Sequence, residues 1–280
     1  MSILAPVEMQ RIKRNTMNRR RIKMIVQFDG AGFYGWQRQP GGMPTVQGVL
    51  ETALAELAGS PVKVYSAGRT DTGVHALAMP VHIDLGLPIP TERLPVALNK
   101  FLPPQVAVLS AEDAPDRFDA RRSARLRWYR YQILNTRHRR PLGPRAWHVF
   151  RPLDVAAMKA GLELLRGEHD FRGFRSSMCT ARRTRLTLEQ ATMRQAGELI
   201  AFDFKCRSFL HHMIRFLVGT LVSMGEGKLD RRRLLRIRDE FDRPALVLCA
   251  PPEGLCLMGV GYTEAECEAL RAADPEAPGF

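Results

Sequence analysis

The sequence predicts an α+β protein built as two halves that meet near residue 115, and three observations carry that prediction. Residues 22–109 read in the order β-α-β-β-α-β, the ferredoxin-like arrangement. Residues 127–260 read again as strands and helices that can gather around one sheet. A chain of 280 residues can bury a good core, as one large domain or two smaller ones. The division expected is a basic leader over 1–20, an N-terminal half over 21–115, a C-terminal half over 116–263 and an acidic, fraying tail over 264–280.

In the first half, Ile22, Met24, Val26 and Phe28 alternate with Lys23 and Gln27, a strand pattern that Ile25 breaks toward burial on both faces. A Gly-rich, aromatic and basic loop follows, Asp29-Gly30-Ala31-Gly32-Phe33-Tyr34-Gly35-Trp36-Gln37-Arg38-Gln39. It lacks the Gly-Lys-Ser/Thr ending of a phosphate loop. Its rings either stack on bases or anchor the loop. Val46, Val49, Leu50, Ala53, Leu54 and Leu57 mark an amphipathic helix with Thr45 as N-cap. Val62–Tyr65 reads as a strand, and Met79, Val81, Ile83 and Leu85 as another. A helix over 91–101 must take Pro95 into its first turn, and Val106–Leu109 is a strand.

Between the strands at 62–65 and 79–85 lies Ser66-Ala67-Gly68-Arg69-Thr70-Asp71-Thr72-Gly73-Val74-His75-Ala76. A loop carried on a rigid sheet is a common seat of chemistry. Asp71 is its only carboxylate, with Arg69 two residues away. From the local pattern alone, Asp71 either closes its own turn or does chemistry.

The second half opens on residues 117–151, which hold eleven arginines and one acid, Asp119. Within them 127–134 alternates as a strand, with Tyr129 and Tyr131 on one face. Arginines interleaved with aromatics suit RNA, where guanidiniums meet phosphates and rings stack on bases. Asp154 is expected to cap a helix to about Leu165. Phe171–Arg185 is a second basic loop, 186–193 and 199–206 form a hairpin, and Ser208 is expected to cap a helix with a core stripe of Leu210, Ile214, Leu217, Val218, Leu221 and Val222. His211, His212 and Arg215 share one edge of that helix. A mixed-charge helix over 228–243 and a final strand over 255–260 complete the reading.

Forty-two basic against 29 acidic side chains give a formal charge of +13, which favours a polyanionic partner, either nucleic acid or an anionic membrane surface. The apolar run Phe216–Gly225 is half a membrane span, and no charged-then-apolar signal segment opens the chain. Five cysteines without a C-x-x-C pair read as reduced thiols of a cytoplasmic protein. Cys206, His211 and His212 are not expected to hold a metal, because adjacent histidines point apart and no second ligand cluster accompanies them.

Taken together, Phe28-Asp29-Gly30 with Tyr34-Gly35-Trp36-Gln37-Arg38-Gln39, Ala67 through Ala76, Arg127-Trp128-Tyr129-Arg130-Tyr131, Asp170-Phe171 with Phe174-Arg175, Leu210-His211-His212-Met213-Ile214-Arg215 with Val218-Gly219, and Glu253-Gly254-Leu255 resemble, in family order, the TruA family of tRNA pseudouridine synthases. The resemblance implies two ferredoxin-like (RRM-like) halves sharing a central mixed, mainly antiparallel β-sheet with an active-site cleft between them. It implies isomerisation of uridine to pseudouridine at tRNA positions 38–40, without cofactor or metal, by a homodimer across which the tRNA lies. By motif match Asp71 is the catalytic aspartate, Tyr129 stacks on the target base and can take the C5 proton, and Arg215 pairs with Asp71. Arg69, Leu255, His211 and Arg38 complete the expected substrate-binding set. A basic cleft without chemistry would instead serve an RNA-binding protein, but that reading leaves Asp71 without a purpose.

Overall fold

The computed structural model describes residues 19–273. One mixed, mostly antiparallel sheet of ten strands runs through it. The first half contributes β1 (Arg20–Phe28), α1 (Val46–Ala58), β2 (Tyr65–Ser66), β3 (His75–Leu85), α2 (Leu94–Asn99) after a 3-10 turn, and β4 (Val106–Asp113). The second contributes β5 (Leu126–Asn135), β6 (Trp147–Val149), α3 (Val155–Glu163), β7 (Gly167–Asp170), β8 (Arg185–Ala196), β9 (Leu199–Cys206), α4 (Met213–Gly225), α5 (Arg231–Asp239), β10 (Leu255–Gly261) and α6 (Glu264–Ala272).

Strand order across the sheet is β4-β1-β3-β10-β5-β9-β8-β7, with β2 on β3 and β6 on β5. Each half therefore repeats one plan. The first runs β4-β1-β3-β2, and the second runs β10-β5-β9-β8. The halves are sewn together where β10 slots between β3 and β5. It runs parallel to β3, Cys256 beside His75 and Leu257 beside Ala76, and antiparallel to β5, Leu257 beside Tyr129. The strand predicted over 62–65 shrinks to Tyr65–Ser66. β2 meets β3 only at His82 and Val81, while β10 takes the start of β3.

Alternation in β1 puts Ile22, Met24, Val26 and Phe28 into one core with Leu50, Leu54, Leu94 and Leu98 of the helices. The local signals behave as their chemistry requires. Thr45 caps α1 through Gly48 N–H, Asp154 caps α3 through Ala157 N–H, and Pro95 sits in the first turn of α2. Two elements depart from the prediction. The helix expected from Ser208 starts only at Met213, because His212 adopts the left-handed conformation (φ 61°) and turns the chain just before it. The tail expected to fray from 264 is helical to Ala272, held by a capping box in which Thr263 and Glu266 satisfy each other's backbone. The leader through residue 18 and residues 274–280 lie outside the described residues, while Arg20 already belongs to β1. Among the described residues no helix is long and apolar enough to cross a membrane.

Arg130 also departs from the expected RNA-facing role. It is fully buried on the face of β5 opposite Tyr129, with its Nε 2.9 Å from Oδ1 of Asp203 on β9. Trp128 donates its indole N–H to the same oxygen at 2.6 Å, and Lys205 lies 5.0 Å over the Trp128 ring. Removing one partner of such a pair strands a buried charge. Asp203→Ala is therefore expected to cost about 3–5 kcal/mol in urea unfolding, and the double change Arg130→Met with Asp203→Leu to recover most of it. A loss below about 1 kcal/mol for Asp203→Ala would contradict this reading.

Candidate active site

Asp71 stands in the loop that enters β3, and the Gly-rich loop after β1 is what shapes it. The carbonyl of Thr70 accepts the Trp36 N–H at 3.1 Å, the Asp71 carbonyl accepts the Val74 N–H at 3.1 Å, and Gly73 N–H reaches the Phe33 carbonyl at 3.4 Å. This approach is so close that a Cβ on Gly30 would lie 2.1 Å from the Val74 carbonyl oxygen. One on Gly35, whose φ is +79°, would lie 2.8 Å from that of Thr70. The glycines thus cradle a backbone, not a phosphate. Phe33 and Trp36 are buried anchors, whereas Tyr34 is exposed and lines the cleft.

His75 bolts this cradle from below. Its Nδ1 accepts the Gly30 N–H at 3.0 Å, and the backbone of Glu253, just ahead of β10, hydrogen-bonds the same ring. Asp29 lies 2.9 Å from Nδ1 and is itself held by Arg145 at 2.5 Å. Burial outweighs the pull of Asp29 and lowers the His75 pKa, so the ring is held neutral.

Three cationic or imidazole groups converge on Asp71. Arg215 Nη1 is 3.1 Å from Oδ2, His212 Nε2 is 3.3 Å from Oδ2, and His211 Nε2 is 3.4 Å from Oδ1. Arg215 is itself braced, its Nε donating to the Ala250 carbonyl at 2.6 Å. The left-handed turn at His212 lets two adjacent histidines reach one carboxylate, with ring centroids 3.9 Å apart. Burial lowers the pKa of His212, helped by His211 and Arg215 and opposed by Asp71.

The cleft around this cluster encloses about 870 Å³ and is lined by Asp71, Arg69, Tyr129, Leu255, His211 and Arg215 among others. Tyr129 lies edge-on to Phe209 at 5.3 Å, and burial pushes its hydroxyl up to about 12. The structure thus brings together every expected site residue but one. Arg38 lies outside the lining, its guanidinium 3.5 Å from Glu51 on α1, and its neighbours Gln37 and Gln39 face the cleft instead. The pairing of His212 with Asp71 had no sequence signal, because it depends on a backbone turn that no local pattern announces.

Cys206 does not join the two histidines; its thiol donates to the Ser208 carbonyl at 2.9 Å. Asp71, His211 and His212 do offer three ligand atoms within 4.8 Å of one another. The Arg215 charge on the same carboxylate opposes a cation there.

The family description "tRNA pseudouridine synthase" matches residues 24–121 and 162–263, spanning the Asp71 loop, α4 and the start of β10. The chain belongs to that family. Among its curated relatives, a tRNA pseudouridine synthase A of Methylobacterium sp. (strain 4-46) is 47% identical over 247 residues, covering 87% of this chain and 98% of that protein. Proteins of the same name from Afipia carboxidovorans and Pelobacter propionicus are 45% and 41% identical, covering 86% and 87% of this chain and 99% and 100% of theirs. Among solved structures, a chain of an archaeal box H/ACA sRNP Nop10–Cbf5 complex is similar over 69% of this chain and 45% of that one, at 14% identity and a TM-score of 0.33. So low a score supports no argument.

In this pseudouridine synthase His75 and His82 on β3 and His212 at the cleft all have pKa values lowered by burial. Such groups bind protons more readily in the unfolded chain. The stability they contribute is present above the unfolded value of about 6.5 and is lost as pH falls through the folded values. The melting temperature is expected to fall between about pH 7 and pH 5, above the carboxylate range. His75→Gln is expected to flatten that fall, and an unchanged pH slope in this variant would contradict the assignment.

Proposed function

We propose that this enzyme isomerises uridine to pseudouridine at positions 38–40 of the tRNA anticodon stem-loop, with Asp71 as its catalytic aspartate. The observation that carries this reading is the Asp71–Arg215 ion pair at 3.1 Å in the wall of a cleft that also holds Tyr129 and Leu255. The reaction breaks N1–C1′, turns the uracil, joins C5 to C1′, releases the C5 proton and returns a proton to N1. A carboxylate serves this sequence by attacking C6 or C1′ or by removing a sugar proton, and each route needs its charged form. Arg215 supplies a fixed opposite charge, and its second bond, to Ala250, keeps it from swinging away.

Tyr129 contributes its ring. A base inside a stem leaves the stack at a cost that an aromatic platform partly offsets. Burial pushes its hydroxyl up to about 12, so Tyr129 carries its proton at neutral pH, and the carboxylate and the two imidazoles beside it are alternative acceptors for the C5 proton. Arg69, beside Asp71 in the same loop, is placed to hold the flipped nucleotide. Leu255 gives the uracil an apolar wall.

Family membership further supports a homodimer with one tRNA across both subunits, and work in the cytoplasm, where the five free cysteines stay reduced. Light scattering is expected to give twice the 31.6 kDa chain mass. Chemical mapping of pseudouridine on an unmodified tRNA transcript with uridines at 38, 39 and 40 tests the site assignment. Modification confined to those positions is expected, and modification elsewhere contradicts it. Arg215→Met is expected to lower kcat by roughly 10²–10³-fold, with the loss in kcat rather than in tRNA affinity.

A further inference from the structure

Beside the Asp71 cleft lies a second pocket, of about 580 Å³, whose walls carry Arg121, Arg122, Arg127, Arg183 and Arg207. The two adjoin, since Arg121, Arg127 and Ser208 line both. We propose that this pocket takes a backbone phosphodiester of the RNA adjoining the uridine held over Asp71. The inference rests on the uridine-isomerase reading above and adds where the flanking strand is gripped.

The pocket gathers positive charge that the protein does not neutralise. Among the described residues none of its five guanidiniums forms an ion pair, and the two acids nearby, Asp119 and the pocket-lining Glu189, are turned to other partners. Asp119 accepts the backbone N–H groups of Arg121 and Arg122 at 2.9 and 2.8 Å, and Glu189 is held by Arg271 at 3.1 Å. Arg127 is the informative member. Its guanidinium donates to the carbonyls of Ala67 at 2.7 Å, Arg121 at 3.0 Å and Arg207. Carbonyls satisfy its hydrogens but leave the charge of this half-buried group uncancelled, so a counter-charge in the pocket is favourable. A phosphate in the pocket supplies the missing counter-charge, and the planar guanidinium fork suits its oxygens.

The same three bonds fix where that phosphate lies. Ala67 opens the Asp71 loop, Arg121 stands in the turn before β5, and Arg207 in the turn after β9. Arg127 therefore holds the pocket walls and the Asp71 loop in one register. A nucleotide whose base enters the cleft keeps its backbone at the mouth, on the side where the two pockets meet. The hydrogen bonds of Arg127 make it unsuitable as a first test, but Arg122 and Arg183 are exposed and can be changed without disturbing the core.

The test compares wild type, Arg122→Ala/Arg183→Ala, and a control, Arg231→Ala/Arg232→Ala, which removes the same charge from exposed positions on α5. Each is titrated with an unmodified tRNA transcript over a range of KCl, and each is assayed for tritium release from C5-labelled uridine. The pocket variant is expected to bind about tenfold more weakly, to lose about one to two from the slope of log K against log salt, and to show the loss in KM rather than kcat. The control is expected to shift affinity less than about twofold. A pocket variant with wild-type affinity and slope overturns the proposal, as does a control that weakens binding equally. Absence of tritium release from wild type would strike the isomerase reading instead, and the binding comparison would still decide whether the pocket grips the RNA backbone.

Discussion

The parallel pairing of β10 with β3 is the constraint on which the molecule depends. It places a strand from residue 255 onward beside the strand that follows Asp71. Through the antiparallel ladder on its other edge it also sets Leu257 opposite Tyr129. Without that insertion each half would be a small α+β unit ending in an open sheet edge. With it, the Asp71 loop, the start of β10 and the middle of β5 meet at one seam, and the first turn of α4 delivers Arg215 to Asp71. Sequence distance disappears there, since Arg215 and Asp71 are 144 residues apart and 3.1 Å from each other.

Around the seam the chain sorts its arginines by work. Arg130 is spent inside the sheet on Asp203, Arg127 ties three carbonyls, and Arg215 faces Asp71, while among the described residues Arg121, Arg122, Arg183 and Arg207 have no acidic partner. An excess of +13 is therefore not spread evenly. Part of it is structural, and part stands beside the cleft, where its repulsion is relieved by a polyanion. The imidazoles follow a different rule. Burial keeps His75 and His212 neutral, so they position and hydrogen-bond without adding more charge to a crowded site.

Much of this was legible in the sequence because it is local. Period-2 alternation marked β1, β3, β5 and the β8–β9 hairpin, and single side chains marked the caps at Thr45 and Asp154. The motif order marked Asp71, Tyr129, Arg215 and Leu255 as one site. What was not legible depends on partners far along the chain or on single turns and caps that no periodicity marks. Residues 264–272 fold because Thr263 and Glu266 cap them, a signal outweighed there by the acidic composition. The helix after Ser208 starts late because His212 turns left-handed. Arg130 looked like an RNA contact because its Asp203 partner lies one strand away, and Arg38 looked like a cleft residue because its pairing with Glu51 is set by how α1 docks. The Gly-rich loop left open whether its rings stack on bases or anchor the loop; Phe33 and Trp36 are buried anchors, while Tyr34 is exposed at the cleft.

The central claim is that Asp71, held by Arg215, carries the chemistry at this seam. It is tested most directly with unmodified tRNA tritiated at uridine C5, since forming the new C5 bond expels that hydrogen. Wild type is run beside Asp71→Asn, with tRNA binding measured for both. Release by wild type and none by Asp71→Asn, at similar affinity for tRNA, is the expected result. Release by both would remove Asp71 from the mechanism, and tight binding with no release by either would leave an RNA-binding protein in place of an isomerase.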